Sequence, residues 1–305
     1  MSRKLQIAVS GLGRMGARHA MHFFESTPRA DLIAVCDPEP KSRAWAEERL
    51  APFGVRVYAD FETMLDSEKL EAVVVATSTT VHAEQAIKAI ERGLHVLCEK
   101  PLSTSVETSQ AVVDAAAKRP ELKVLCGFSR RFDASYRSAH AQLSTIGRPS
   151  IIRSQTCDKK MDTDYLIQYS QHSGGIFVDC NIHDIDLVHW FFGKDIKVKS
   201  VSAVGVRAIA PGLQKWQDAD NAVGVIEFYG DQIAYVFGSR MMAAGQHDMT
   251  EIIGTTGKVV VNSNPMSDLV ETHVSEGVKR TIPDSYYPRF YEAFVREARE
   301  FTDAW

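Results

Sequence analysis

Short apolar runs alternate with amphipathic stretches from residue 4 to about residue 127. The runs are LQIAVSG (5–11), DLIAVCD (31–37), VRVYAD (55–60), AVVVATS (72–78), LHVLCE (94–99) and KVLCGF (123–128), with helical periodicity between them over 14–26, 41–50, 80–92 and 105–118. Unbroken Val, Ile and Ala runs predict strands buried on both faces, the pattern of a parallel sheet covered by helices. Alternation of such strands with helices predicts an α/β, Rossmann-type doubly wound fold. Beyond residue 128 the texture changes. A helical stretch over 132–145 leads into the strand IIRSQTCD; a polar segment over 158–174 predicts a loop, and 176–192 predicts a helix. VKSVSAVGV, AVGVIEFYG, DQIAYVFGS and TEIIGTTGKVVV follow, with YGDQ and GTTGK as hairpin turns. Strands joined by short turns pair antiparallel. The pattern therefore predicts two domains: a Rossmann domain over 1–127, and an α+β domain with a mostly antiparallel open sheet over 128–305.

Composition narrows the class. A length of 305 residues exceeds one typical domain. A formal net charge of −4 excludes a general nucleic-acid binder, which needs a basic surplus. Cys36, Cys98, Cys126, Cys157 and Cys180 are widely spaced, with no CxxC pair, and three of them sit in apolar runs. That usage predicts a reducing compartment. The N-terminal MSRKLQIAVSG enters a strand directly, without a signal-peptide core. No apolar run approaches the roughly 20 residues of a membrane span. The expectation is a cytoplasmic protein with no membrane and no nucleic-acid partner.

The first chemical signal lies at the end of the first strand. Gly11, Gly13 and Gly16 form G-x-G-x-x-G in LQIAVSGLGRMGA, between a strand and a helix, and Asp37 ends the next strand. This is the context that a dinucleotide fingerprint requires. The glycines allow a tight turn, close approach of a pyrophosphate and close helix–strand packing, while free amides at the helix start face the anion. Leu12, Arg14 and Met15 complete the loop. A carboxylate at Asp37 can accept from adenine-ribose hydroxyls and repels a 2′-phosphate, which favours NAD over NADP. Lys41 and Arg43 lie just downstream and partly offset that repulsion. The bland alternatives are a glycine turn without a ligand and a cap residue before Pro38.

Two further signals point to catalysis. Glu99-Lys100-Pro101 closes the fifth apolar run, at the carboxyl end of a strand, where ligands bind in open α/β sheets. Pro101 can set a cis turn there, although a solvated lysine at a strand end is common. In GGIFVDCNIHDIDLVHW (174–190), Asp179 and His183 stand four apart, on one face of a helix. A carboxylate beside an imidazole fixes its tautomer and raises its basicity, as a proton-abstracting histidine needs. Asp186 extends that face, but no ligand cluster completes a metal site with it or with His189.

Taken together, GLGRMGARHA, VVVATSTTVH, CEKPL, GFSRRFD and SGGIFVDCNIHDIDLVHW resemble the Gfo/Idh/MocA oxidoreductase family, closest to its inositol 2-dehydrogenase-like branch. The resemblance spans nearly the whole chain in order and spacing. It implies a nicotinamide-dependent oxidoreductase acting on a secondary alcohol or carbonyl of a polyol or sugar, with a homo-dimeric or homo-tetrameric assembly. It implies that Lys100, Asp179 and His183 line the catalytic site, that Thr77, Ser78, His82 and Glu99 contact the cofactor, and that Arg130 lies near substrate. Two departures bear on the substrate. Thr156 and Asp158 stand where relatives carry His-x-Asn, and GQHD with His247 stands where relatives carry tyrosines. Asp158 and His247 are thereby expected at the substrate. The chain ends at Trp305 in a helical pattern where relatives usually continue. Rival readings are an NAD-binding transcriptional regulator of the galactose-repressor type and a dihydrodiol- or biliverdin-type reductase. Joint presence of Lys100, Asp179 and His183 argues against a sensor, which needs no acid–base set.

Overall fold

A computed structural model describes residues 3–303, and the chain forms two compact units. The first holds the residues up to Ser129 and again those from Phe294, and the second holds Arg130–Ala293. The division differs from a single cut after residue 127, because the last turns of the C-terminal helix belong to the first unit.

In the first unit, strands and helices run β1 (Leu5–Ser10), α1 (Gly16–Met21), β2 (Ala30–Cys36), α2 (Pro40–Arg49), β3 (Arg56–Tyr58), α3 (Phe61–Ser67), β4 (Ala72–Val75), α4 (Thr79–Glu91), β5 (His95–Cys98), α5 (Val106–Ala117) and β6 (Val124–Cys126). A π-helical turn over His22–Ser26 continues α1. The six strands are parallel, in the order β3-β2-β1-β4-β5-β6. Successive side chains of a strand point to opposite faces. Ile7, Val9, Val74 and Leu97 accordingly enter one apolar layer, and Ala8, Val73, Val75 and Val96 the other. Ala298 and Phe301 complete the first layer. The chain reverses its direction of winding between β1 and β4, so the carboxyl ends of those strands form the switch point where ligands bind in such sheets.

The second unit contains α6 (Ala134–Ala141), β7 (Pro149–Lys159), α7 (Thr163–Ser173), α8 (Ile176–Asp179), α9 (Ile182–Phe192), β8 (Val198–Val206), β9 (Asn221–Phe228), β10 (Gln232–Met242), β11 (His247–Gly254), β12 (Lys258–Val261), and a hairpin of β13 (Glu271–Val274) and β14 (Gly277–Arg280). The helix α10 (Tyr286–Thr302) kinks at Phe290. The sheet order is β12-β11-β7-β10-β9-β8; β7 and β10 pair parallel, and every other pairing is antiparallel. Both expected hairpins form.

Two local expectations are corrected. The polar stretch 158–174 is largely helical: Asp162 caps α7 by accepting from the Tyr165 amide, and Gly174 ends it at φ 79°. The helix expected over 176–192 is two helices, α8 and α9, separated at Cys180 and Asn181. Among the described residues, no helix is long and apolar enough to cross a membrane.

Candidate active site

The glycine turn between β1 and α1 has the geometry of a nucleotide cradle. Gly11 takes φ +87°, and a Cβ there would lie 2.5 Å from the Ala76 carbonyl oxygen. A Cβ on Gly16 would lie 1.9 Å from the Gly11 carbonyl oxygen, so α1 can start this close to the turn only without a side chain. A Cβ on Gly13 would meet nothing within 4 Å. That open space is where a pyrophosphate would approach the backbone, so the residues fit a dinucleotide. Asp37 locks the turn. Its Oδ2 accepts from the Leu12 amide at 2.6 Å and its Oδ1 from the Glu39 amide at 2.8 Å. Arg43 is spent on the Asp37 and Pro38 carbonyls, at 2.9 and 2.7 Å.

Thr77 and Ser78 follow β4, with Ser78 at the N-cap of α4. His82 does not project toward a ligand. It is buried, and its ring nitrogens lie 2.9 Å from the Pro101 carbonyl and 3.1 Å from the Thr77 carbonyl. The ring lies between these two backbone carbonyls, one from the loop after β4 and one from the turn after β5.

That turn carries Lys100, joined to Pro101 by a cis peptide. Glu99 is enclosed beneath it. Its Oε1 lies 2.7 Å from His19 Nε2, and its Oε2 accepts from the Lys100 amide at 3.1 Å. Burial pushes the Glu99 carboxyl upward, but the His19 hydrogen bond and charge, with Lys100, hold it below the usual range. Glu99 therefore positions the lysine's backbone. His19, in the helix that the glycine turn opens, is its partner, and nothing in the sequence spacing marks that pairing.

In the second unit Asp179 ends α8. Its Oδ1 accepts from the Tyr169 hydroxyl at 2.9 Å and its Oδ2 from Arg240 Nη2 at 3.1 Å. Tyr169 lies on α7, inside the stretch whose polarity predicts a loop. His183, in the first turn of α9, is 5% exposed and stacks on Tyr286 at 5.2 Å between ring centroids. The sequence argument for one helical face does not hold as stated, because α8 and α9 are separate helices.

Strand parity separates Asp158 from His247. The side chains of Ser154, Thr156 and Asp158 alternate onto the face of β7 that α9 covers; Ser154 and Thr156 donate to Asp184 at 2.6 and 2.7 Å. Cys180 Sγ lies 3.6 Å from Asp158 Oδ2 and 3.7 Å from Asp179 Oδ2. Burial raises the Asp158 carboxyl; Gln246 pulls it back, and the nearby Asp179 charge raises it further. His247 pairs with Cys157, one residue out of step, so it points to the opposite face and contacts Gln155 and the Asn262 carbonyl. It does not share a pocket with Asp158. Arg130 is 1% exposed, and its Nη atoms are committed to Asp184, Thr156 and Asp248 at 2.7–2.9 Å. It is an internal cation of the second unit and has no surface to offer substrate. Asp186 is likewise held by both arms of Arg131, at 2.7 Å each.

Comparison with known proteins agrees with this architecture. Residues 5–128 match the family described as "Oxidoreductase family, NAD-binding Rossmann fold", and residues 139–260 match the GFO/IDH/MocA C-terminal domain. The chain is 33% identical to scyllo-inositol 2-dehydrogenase (NAD(+)) of Bacillus subtilis, over 99% of this chain and 86% of the relative. It is 27% identical to myo-inositol 2-dehydrogenase of Thermotoga maritima, over 97% and 87%. A crystal structure of scyllo-inositol dehydrogenase from Lactobacillus casei with bound NAD(H) and scyllo-inositol superposes with a TM-score of 0.92 at 31% identity, covering 99% of this chain and 89% of that one. With a glycine cradle locked by Asp37 and likeness along nearly its whole length, the chain belongs to the Gfo/Idh/MocA family of oxidoreductases.

Proposed function

We propose that this protein is an NAD-dependent dehydrogenase that moves hydride between the nicotinamide and a secondary alcohol of a cyclic polyol or sugar. The observation that carries the reading is likeness, along nearly the whole chain, to enzymes named as NAD-dependent inositol dehydrogenases. Bound NAD supplies the hydride acceptor. Lys100, Asp179 and His183 are assigned to the reaction. In oxidation His183 takes the hydroxyl proton, and Asp179 holds the imidazole in the receptive tautomer. Lys100 stabilises the developing alkoxide by charge and hydrogen bonding. In the reverse direction His183 returns the proton.

Asp37 supports NAD as the cofactor: it already anchors the glycine turn, and its charge opposes a 2′-phosphate. Thr77 and Ser78, beside that turn, are assigned to the cofactor as well. Asp158 is assigned to the substrate, where a carboxyl can accept from a ring hydroxyl. Five cysteines that form no disulfide among the described residues fit a cytoplasmic setting. Nothing in the matched relatives supports a silent regulator or a dihydrodiol-type reductase.

The test is a panel of inositols and aldoses assayed for NADH formation with NAD and with NADP. Turnover of a polyol with NAD preferred is the expected result. His183→Ala should lower kcat by about 10²–10⁴-fold while NAD still binds. A His183→Ala enzyme with wild-type kcat at neutral pH would contradict the assignment.

A further inference from the structure

Asp179 acts only if it is aimed, and the short helix that carries it cannot aim it unaided. The helix α8 is one turn, Ile176–Asp179, and a single turn has no cooperative stability of its own. Both of its ends are tied to one side chain. Arg240 leaves β10 on the face that Gly238 and Thr156 share by register, and it is 1% exposed. Its Nη2 donates to Asp179 Oδ2 at 3.1 Å and its Nη1 to Asp218 Oδ2 at 2.7 Å. The other oxygen of Asp218 accepts from the Ile176 amide at 2.8 Å, which caps the start of α8. The guanidinium therefore reaches the last residue of α8 directly and the first through Asp218.

We propose that Arg240 is a positioning residue, whose buried fork holds Asp179 in the orientation that serves His183. The proposal rests on the dehydrogenase reading above. Groups that meet Asp179 include Tyr169 from α7, Asp158 from β7, Cys180 on its own segment and Arg240 from β10, which also holds Asp218 from the loop before β9. Tyr286 of α10 faces His183. Asp158, Asp179 and Asp218 thus gather three carboxyls around one paired cation. Without that cation the cluster takes up a proton more readily, and a protonated Asp179 no longer supports an imidazole as hydrogen-bond acceptor. A planar fork bonds two carboxylates from separate nitrogens in fixed directions; an ammonium on a flexible stem supplies charge without that fixed geometry.

The experiment compares wild type, Arg240→Gln and Arg240→Lys as full chains, with kcat and KM for polyol oxidation measured across pH, NAD affinity, and melting temperature. For Arg240→Gln, kcat should fall about tenfold or more. The acid limb of its kcat/KM profile should move up by about one pH unit, with NAD affinity unchanged. Arg240→Lys should return the limb to its wild-type position without restoring kcat. An Arg240→Gln enzyme that melts lower but keeps its limb in place overturns the proposal, since a purely structural tie would do that. If Arg240→Gln does not fold, Arg240→Lys decides: wild-type kcat overturns the proposal, and a tenfold loss at unchanged NAD affinity supports it. A wild-type protein that binds NAD yet oxidises no polyol sinks the dehydrogenase reading together with the positioning role. Active wild type with an unmoved limb sinks the positioning role alone.

Discussion

At the scale of single residues, the nucleotide turn is the most constrained part of the chain. A methyl group on Gly16 would overlap the Gly11 carbonyl oxygen, with only 1.9 Å between them. Gly16→Ala should therefore abolish NAD binding and lower the melting temperature, as read by cofactor fluorescence titration and calorimetry. Asp37→Ala removes the acceptor of the Leu12 amide, so NAD affinity should fall about tenfold or more while discrimination against NADP narrows. Both checks need only purified protein and the two cofactors. The glycines of that turn were legible in the sequence, because local backbone geometry sets them. His82, Arg130 and His247 were not. Each is a polar residue near a motif, and whether it meets a ligand depends on which buried groups or strand face it finds. His82 finds two carbonyls, Arg130 finds two aspartates, and His247 falls one residue out of step with Asp158. Those partners lie up to 118 positions away in sequence, beyond the reach of any local pattern.

Among the elements, periodicity located the strands of both sheets because their burial follows from apolar runs and alternation. It failed at α7, whose helix signals are an aspartate cap and a terminal glycine in an otherwise polar stretch. It also failed at the break between α8 and α9, which no proline or glycine announces. The helices around the first sheet carry two titratable groups that make stability depend on pH in opposite directions. His22, beside α1, is lowered to about 4, first by burial and then by the charges of His19 and Arg18. Between pH 6.5 and 4 the unfolded chain binds a proton there that the folded chain does not, so stability falls on acidification through that window. Glu297 on α10 is fully buried, and neither of its carboxyl oxygens has a hydrogen-bond partner. Burial, reinforced by Glu99, raises it far above the ordinary range. Its contribution is complete below the unfolded value near 4.5 and is lost as pH rises, because the unfolded chain then ionises freely. Glu297→Leu should therefore melt above wild type at pH 8, by roughly 3 °C or more, with the gap closing toward pH 5. A gap that stays constant with pH would show that the carboxyl is ionised in the folded protein.

For the whole molecule, the second sheet has one face covered by helices and one that is open. Val204, Val206, Val225, Ile233, Tyr235 and Val260 are exposed, and Val225 pairs directly with Tyr235. An apolar row of this kind marks an association surface, and a second copy of the chain presents a matching one. Assembly as a homo-dimer or homo-tetramer is thus proposed on this face. Val225→Glu combined with Tyr235→Glu should yield monomers by light scattering with unchanged secondary structure. The same sheet was foreseeable from its hairpins, whereas the return of the chain to the first unit was not, since nothing in FVREAREFT names the layer it joins. That return has a consequence for biosynthesis. Ala298 and Phe301 fill the core beneath β1 and β4, so the nucleotide-binding unit remains unfinished on the ribosome until the whole second unit has been made. Cofactor capture by a nascent chain should accordingly begin only after that last helix has emerged.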